Sequence, residues 1–153
     1  RAIGGDPFAV LLADDFLTSD GAGVTLELVE AYAKTGKTQL SVMQVDGPDI
    51  SNYGVLKTNC ANSLVSGLIE KPNFAEAPSN LASIGRYVLT PDIFDILRNQ
   101  APGAVGEIQL ADAIHTQAQR GGVEAVPLSR LRFDCGSVDG YIDAIAHMAA
   151  KRR

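Results

Sequence analysis

Asp14 and Asp134 occupy similar local settings 120 positions apart. Phe8-Ala9-Val10-Leu11-Leu12-Ala13 runs into Asp14-Asp15, and Leu131-Arg132-Phe133 runs into Asp134-Cys135-Gly136. A carboxylate at the end of a buried strand is costly unless it meets a cation. Magnesium takes one or two carboxylates and fills its octahedron with phosphate oxygens and water. Small residues after Asp134 allow a metal or phosphate close to the backbone. The two acids could therefore share one divalent ion, although a strand-end aspartate could equally cap the turn that follows it.

Glu70-Lys71-Pro72 is a second constellation. The strand Gly67-Leu68-Ile69 delivers an acid and a base together, and Pro72 stops the strand because it cannot donate to a ladder. Strand neighbours point to opposite faces unless the strand ends. Glu70 could accept hydrogen bonds from sugar hydroxyls while Lys71 meets a phosphate; a surface ion pair of little energetic weight is the plainer reading. Tyr53-Gly54-Val55 adds a glycine against which a flat sugar could lie, or simply begins a strand.

The elements that would carry these residues follow from periodicity. Phe8 to Ala13 reads as a strand buried on both faces. Val24, Leu28, Val29 and Tyr32 recur at helical spacing between Gly23 and Lys34, with Gly36 as the stop. Gln39 to Val45 is a strand, and Tyr53 to Thr58 with Ser63 to Glu70 forms a hairpin around Asn59. Asn73 to Asn80 is a polar loop. Leu81 to Leu89 is a strand, after which Thr90-Pro91-Asp92 opens a helix with a hydroxyl cap that buries Ile93, Phe94, Ile96 and Leu97. A further helix is expected from Glu107 to Arg120, burying Ile108, Ala111, Ile114 and Ala118. Val123 to Leu128 and Leu131 to Phe133 are short strands, and Ser137 to Ala150 is the last helix. The alternation predicts one α/β domain over residues 1–153, a mixed, mostly parallel sheet flanked by helices.

Seven blocks, in this order, resemble bacterial UTP–glucose-1-phosphate uridylyltransferases: the Phe8–Asp15 run, Tyr53-Gly54-Val55, Gly67 to Pro72, Pro78 to Ala82, Gly85 to Leu89, Gly106 to Ile114, and Asp134-Cys135-Gly136. The resemblance runs from near residue 4 to near residue 148. It implies a Rossmann-like nucleotide-diphospho-sugar transferase fold. It also implies transfer of UMP from UTP to glucose 1-phosphate, giving UDP-glucose and pyrophosphate. By the same resemblance Asp14 and Asp134 hold Mg2+, Asp14 and Lys71 are catalytic, and Tyr53, Gly54, Glu70, Lys71 and Glu107 bind substrate. His115 and His147 match no catalytic position and are expected on helix surfaces. Sugar thymidylyltransferases share the Tyr-Gly-Val and Glu-Lys-Pro elements, and a non-catalytic sugar-nucleotide-binding module would share the sugar site.

The family's glycine-rich loop with arginine, followed by a lysine, has no counterpart among Gly4-Gly5, Gly21-Ala22-Gly23 and Gly121-Gly122. The first residue is Arg, and the apolar run is under way by Phe8. The expectation is therefore a carboxyl-terminal portion that lacks an amino-terminal, nucleotide-binding half. Such a portion should be inactive alone and should self-associate through apolar sheet surface.

Composition narrows the partners. A net charge of -5, with no basic run before Lys151-Arg152-Arg153, gives no general attraction for nucleic acid. No apolar stretch approaches a membrane span, and no export signal opens the chain. Cys60 and Cys135 have neither metal spacing nor the density of a disulfide scaffold. These features point to a cytoplasmic protein.

Overall fold

The computed structural model describes residues 3–19, 21–58, 63–102, 106–128 and 130–152. Asn59, Cys60 and Arg153, named above, lie outside them. In chain order the elements are β1 (Phe8–Leu11), β2 (Asp15–Leu17), α1 (Val24–Thr35), β3 (Thr38–Gln44), β4 (Gly54–Thr58), β5 (Val65–Glu70), β6 (Leu81–Leu89), α2 (Ile93–Asn99), α3 (Leu110–Gln119), β7 (Val123–Pro127), β8 (Arg132–Asp134) and α4 (Val138–Ala150). Short 3₁₀ turns occupy Pro48–Asn52 and Phe74–Glu76.

The main sheet runs β5-β4-β6-β3-β7, and β1 also pairs with β6. It is mixed and flanked by helices, as expected, but it is not mostly parallel. Among the described ladders only β3–β7 is parallel; β1–β6, β3–β6, β4–β5 and β4–β6 are antiparallel. The long β6 explains this, since it meets β1, β3 and β4, all running against it. The apolar run at β1 had suggested a strand buried on both faces. Its residues alternate instead between half-buried Phe8 and Val10 and exposed Ala9 and Leu11.

Successive residues of β6 divide between two cores, as the pleat requires. Val88 packs with Val24 and Leu28 of α1 on one face. Leu89 joins the larger core on the other, with Leu40, Leu56, Leu68, Ile93 and Ile114. Helix α1 therefore covers one side, while α2 and α3 cover the other.

Two helix starts differ from expectation. Thr90 does not cap α2 with its hydroxyl. That hydroxyl donates to Asp92 and accepts from Gln117 at 2.7 Å, because Gln117 is buried and must place its amide N–H groups. Helix α3 begins at Leu110, not Glu107, so Ile108 precedes the helix and is 53% exposed. The α4 start holds: Ser137 Oγ accepts the Gly140 N–H at 3.1 Å.

Apart from the main sheet, β2 and β8 form a two-stranded antiparallel ladder in which Asp15 faces Asp134 and Leu17 faces Arg132. This small ribbon positions the acids. No described helix is long and apolar enough to cross a membrane.

Candidate active site

Asp14 lies on the turn between β1 and β2, and Asp134 ends β8. The β2–β8 register brings them together, and the Cys135 N–H donates to the Asp14 carbonyl at 2.8 Å. Gly136 marks the gap between the carboxylates. A Cβ built there would stand 3.1 Å from Asp134 Oδ1 and 3.2 Å from Asp14 Oδ2. Two carboxylate oxygens thus face one gap, and Asp134 Oδ1 also accepts the Gly136 N–H at 3.1 Å, so this strand-end aspartate caps the turn that follows it as well. No third histidine, cysteine or acid joins them to make a metal cluster among the described residues. That donor set suits a hard ion that takes two carboxylates and leaves other positions for phosphate and water. It does not suit an ion that needs a full protein cage.

The second constellation forms where the β4–β5 ladder ends. Gly54 pairs with Glu70, and a Cβ on Gly54 would stand 3.0 Å from Glu70 Oε2. A side chain on Gly54 would press on the Glu70 carboxylate and on Leu68, and the glycine eases this close approach. Lys71 then leaves the pleat with φ at 45°, in the left-handed region, while its N–H donates to the Tyr53 carbonyl at 3.0 Å. A left-handed non-glycine residue costs of order 1–2 kcal/mol, and such strain gathers at functional sites. Its effect is that Glu70 and Lys71, neighbours in sequence, line the same cleft.

That cleft has a volume of about 400 Å³. Asp14, Asp134, Tyr53, Gly54, Glu70 and Lys71 all line it. Glu107 does not: it is exposed and lies before α3, and Gln109, two residues on, lines the wall in its place. His115 is half-buried and not on an open helix surface, with Nδ1 2.9 Å from the Leu68 carbonyl. His147 is also half-buried, its ring 5.2 Å from that of Phe133. Neither lines the cleft.

Sequence reasoning passed over Arg132 and Asp15. Asp15 is buried and forms an ion pair with the Arg132 Nε; its other oxygen accepts the Gly85 N–H at 2.7 Å. Arg132 also donates to the Tyr53 hydroxyl at 2.9 Å and stacks 5.2 Å over that ring. Its remaining nitrogen is 3.6 Å from Asp134. Burial alone would pull the Arg132 pKa down, but the charge and hydrogen bond of Asp15 outweigh it and hold the guanidinium above its ordinary value. The one local signal is an arginine between Leu131 and Phe133, two residues before a strand-end acid, and nothing in it points to Asp15, 117 positions away. Gly85 belongs to the same device, because any side chain there would collide with Asp15 and Leu12. Tyr87 also lines the cleft, its hydroxyl kept protonated to higher pH than usual, chiefly by burial.

A cleft with paired carboxylates at one end and an acid–lysine pair at the other, on a mixed sheet, offers the groups that a phosphate and a hard cation would need. Residues 1–151 match the nucleotidyl transferase family model, and the chain belongs to that family. Within it, the chain is 44% identical over 146 residues to the UTP–glucose-1-phosphate uridylyltransferase of Pseudomonas aeruginosa, covering 93% of this chain and 52% of the relative. It superposes on apo UDP-glucose pyrophosphorylase with a TM-score of 0.92 at 42% identity, covering 99% of this chain and 57% of that one. For a UDP-glucose pyrophosphorylase complexed with UDP-glucose the TM-score is 0.89, again at 42% identity, over 99% and 59% of the two chains. The chain thus spans about half the length of the curated relatives it matches.

Proposed function

We propose that this chain forms the sugar- and metal-binding part of an enzyme that transfers UMP from UTP to glucose 1-phosphate, giving UDP-glucose and pyrophosphate. The observation that carries the reading is the convergence of Asp14 and Asp134 on the Gly136 gap, in the cleft that also holds Glu70 and Lys71.

In this reading the sugar lies along Tyr53 and Gly54, beside the Glu70 carboxylate that packs against the glycine. Glu70 accepts hydrogen bonds from sugar hydroxyls. Lys71 faces the sugar phosphate and offsets its charge as it approaches a second anion. An oxygen of that phosphate attacks the α-phosphorus of UTP, the bond from that phosphorus to the bridging oxygen breaks, and pyrophosphate leaves with the electron pair. Asp14 and Asp134 would hold Mg2+, which supplies positive charge against phosphate oxygens when bound. The protein's own part is positioning and charge neutralisation.

No glycine-rich arginine–lysine loop occurs in this sequence, so we assign triphosphate and base recognition to a further half. The proposed substrates fit a cytoplasmic enzyme. Exposed Tyr141, Ile142, Ile145 and Met148 on α4 support self-association, which sedimentation at several concentrations reads directly.

Calorimetric titration with glucose 1-phosphate, with and without Mg2+, tests the site. Binding that Mg2+ strengthens is expected; no binding in either condition overturns the reading. Pyrophosphate release by the intact gene product, faster with UTP than with dTTP, separates uridylyl from thymidylyl transfer. Binding without any turnover there would favour the non-catalytic module.

A further inference from the structure

Three carboxylates and one guanidinium crowd the metal end of the cleft. Asp14, Asp15, Asp134 and Arg132 all line it. If Arg132 were free to choose, it would sit against the pair that receives the cation. The geometry points to Asp15 as the residue that limits this: a positioning residue that occupies Arg132, so that Asp14 and Asp134 keep most of their charge for a divalent ion while Arg132 steadies the sugar-facing Tyr53. This rests on the proposed metal and sugar site and extends it to two residues outside the ligand set.

The bonding is graded. The Arg132–Asp15 pair is direct, with both side chains largely buried at 12% and 7% exposure. Arg132 lies 3.6 Å from Asp134, beyond hydrogen-bond reach, and Asp134 is 48% exposed. Asp15 in turn cannot follow Arg132 outward. Its second oxygen accepts the Gly85 N–H at 2.7 Å, and its own carbonyl accepts from Arg86 at 2.8 Å. The anchor is therefore β6, in the main sheet, while the metal carboxylates sit on the β2–β8 side. Asp15 thus takes the larger share of the Arg132 charge, ahead of the longer ion pair to Asp134, and most of the charge of Asp14 and Asp134 is left for the cation. The same guanidinium reaches the other wall, donating to the Tyr53 hydroxyl at 2.9 Å. Planar guanidinium geometry permits these contacts at once, which a lysine could not reproduce.

Asp15→Asn is the informative change, because an asparagine oxygen can still accept from Gly85 while the charge on Arg132 is released. Mn2+ serves as the probe, followed by its free-ion electron paramagnetic resonance signal, together with calorimetric titration of glucose 1-phosphate. D15N is expected to weaken Mn2+ about tenfold, the worth of a hydrogen-bonded charge. Loss of one nearby negative charge would also weaken a cation, but it would not weaken an anion. D15N is expected to bind glucose 1-phosphate several-fold more weakly as well, because Arg132 turns from Tyr53 to the paired acids, and D15N/R132M then tests the Mn2+ effect. Removing both charges keeps the local sum constant, and exchange of a buried ion pair for neutral groups is often tolerated by the fold. The double variant is expected to recover Mn2+ affinity to within about twofold of the parent, while glucose 1-phosphate stays several-fold weaker because Tyr53 has lost its donor. Tyr53→Phe should reproduce the sugar defect and leave Mn2+ unchanged. A D15N protein that binds Mn2+ like the parent overturns the inference. So does a double variant that stays as weak as D15N although its thermal transition is cooperative. Absence of Mn2+ binding by the unsubstituted protein overturns the reading of the site, and the inference with it.

Discussion

Gly136 and Lys71 carry opposite lessons about single residues. Gly136 is not in the left-handed region, so alanine is compatible with its backbone; what alanine would do is fill the gap between Asp14 and Asp134. G136A is expected to leave the melting temperature within about 2 °C of the parent, the scale of a neutral surface change, and to weaken Mn2+ at least tenfold. Unchanged Mn2+ affinity would remove the gap from the account. Lys71 pays for its position in backbone strain. K71G should raise stability by roughly 1 kcal/mol and abolish glucose 1-phosphate binding, a trade that chemical denaturation and calorimetry together can read. These positions were legible in the sequence because their types are unusual where they stand: acids after apolar runs, an acid–lysine–proline end. Asp15 and Arg132 were not legible, since their importance lies in a contact across 117 positions and no local spacing encodes it.

At the level of elements, the amino-terminal helix is fastened to the sheet by a polar knot as well as by Leu28. Glu124 of β7 accepts from Thr35 at the end of α1 at 2.9 Å and from Gln39 of β3 at 3.0 Å, and it pairs with Lys37 at 3.3 Å. Burial would raise its pKa; the hydrogen bonds from Gln39, Thr35 and Lys37 outweigh that and lower it. Folding therefore favours the ionised form. The resulting stability is fully present above the ordinary glutamate value of 4.5 and is lost as pH falls through the lower folded value. E124Q is expected to lower the melting temperature by about 3 °C near neutral pH. The difference from the parent should shrink in acid, where the parent loses its own charge; a difference independent of pH would contradict this. Helix positions followed from spacing, but strand direction did not. Periodicity reports which faces are apolar, and it is silent on whether β6 runs with or against β1, β3 and β4. Glu107 shows the related limit: helical spacing reaches back to it, yet Gln109 stands in extended backbone, with φ at -91° and ψ at 131°, and α3 starts after it.

Across the whole molecule, the cleft lies where two sheets meet. The main sheet contributes Gly54, Glu70 and Gly85, and the β2–β8 ribbon contributes Asp134. Among the described residues, the Arg132–Asp15–Gly85 chain, the Arg132–Tyr53 hydrogen bond and the Arg86 bond to the Asp15 carbonyl join these bodies on the cleft side. The relation of the Asp14–Asp134 end to the Glu70–Lys71 end is thus set by few polar contacts, and loss of one should loosen the cleft before it unfolds the chain. The position of a bound divalent ion is the decisive observable. Crystals soaked in Mn2+ and glucose 1-phosphate, measured for anomalous scattering, locate it directly. The expected result is one strong peak about 2.2 Å from an oxygen of Asp14 and from an oxygen of Asp134, with the sugar phosphate on the Lys71 side. A peak remote from both aspartates, or a phosphate bound away from Lys71, would contradict it.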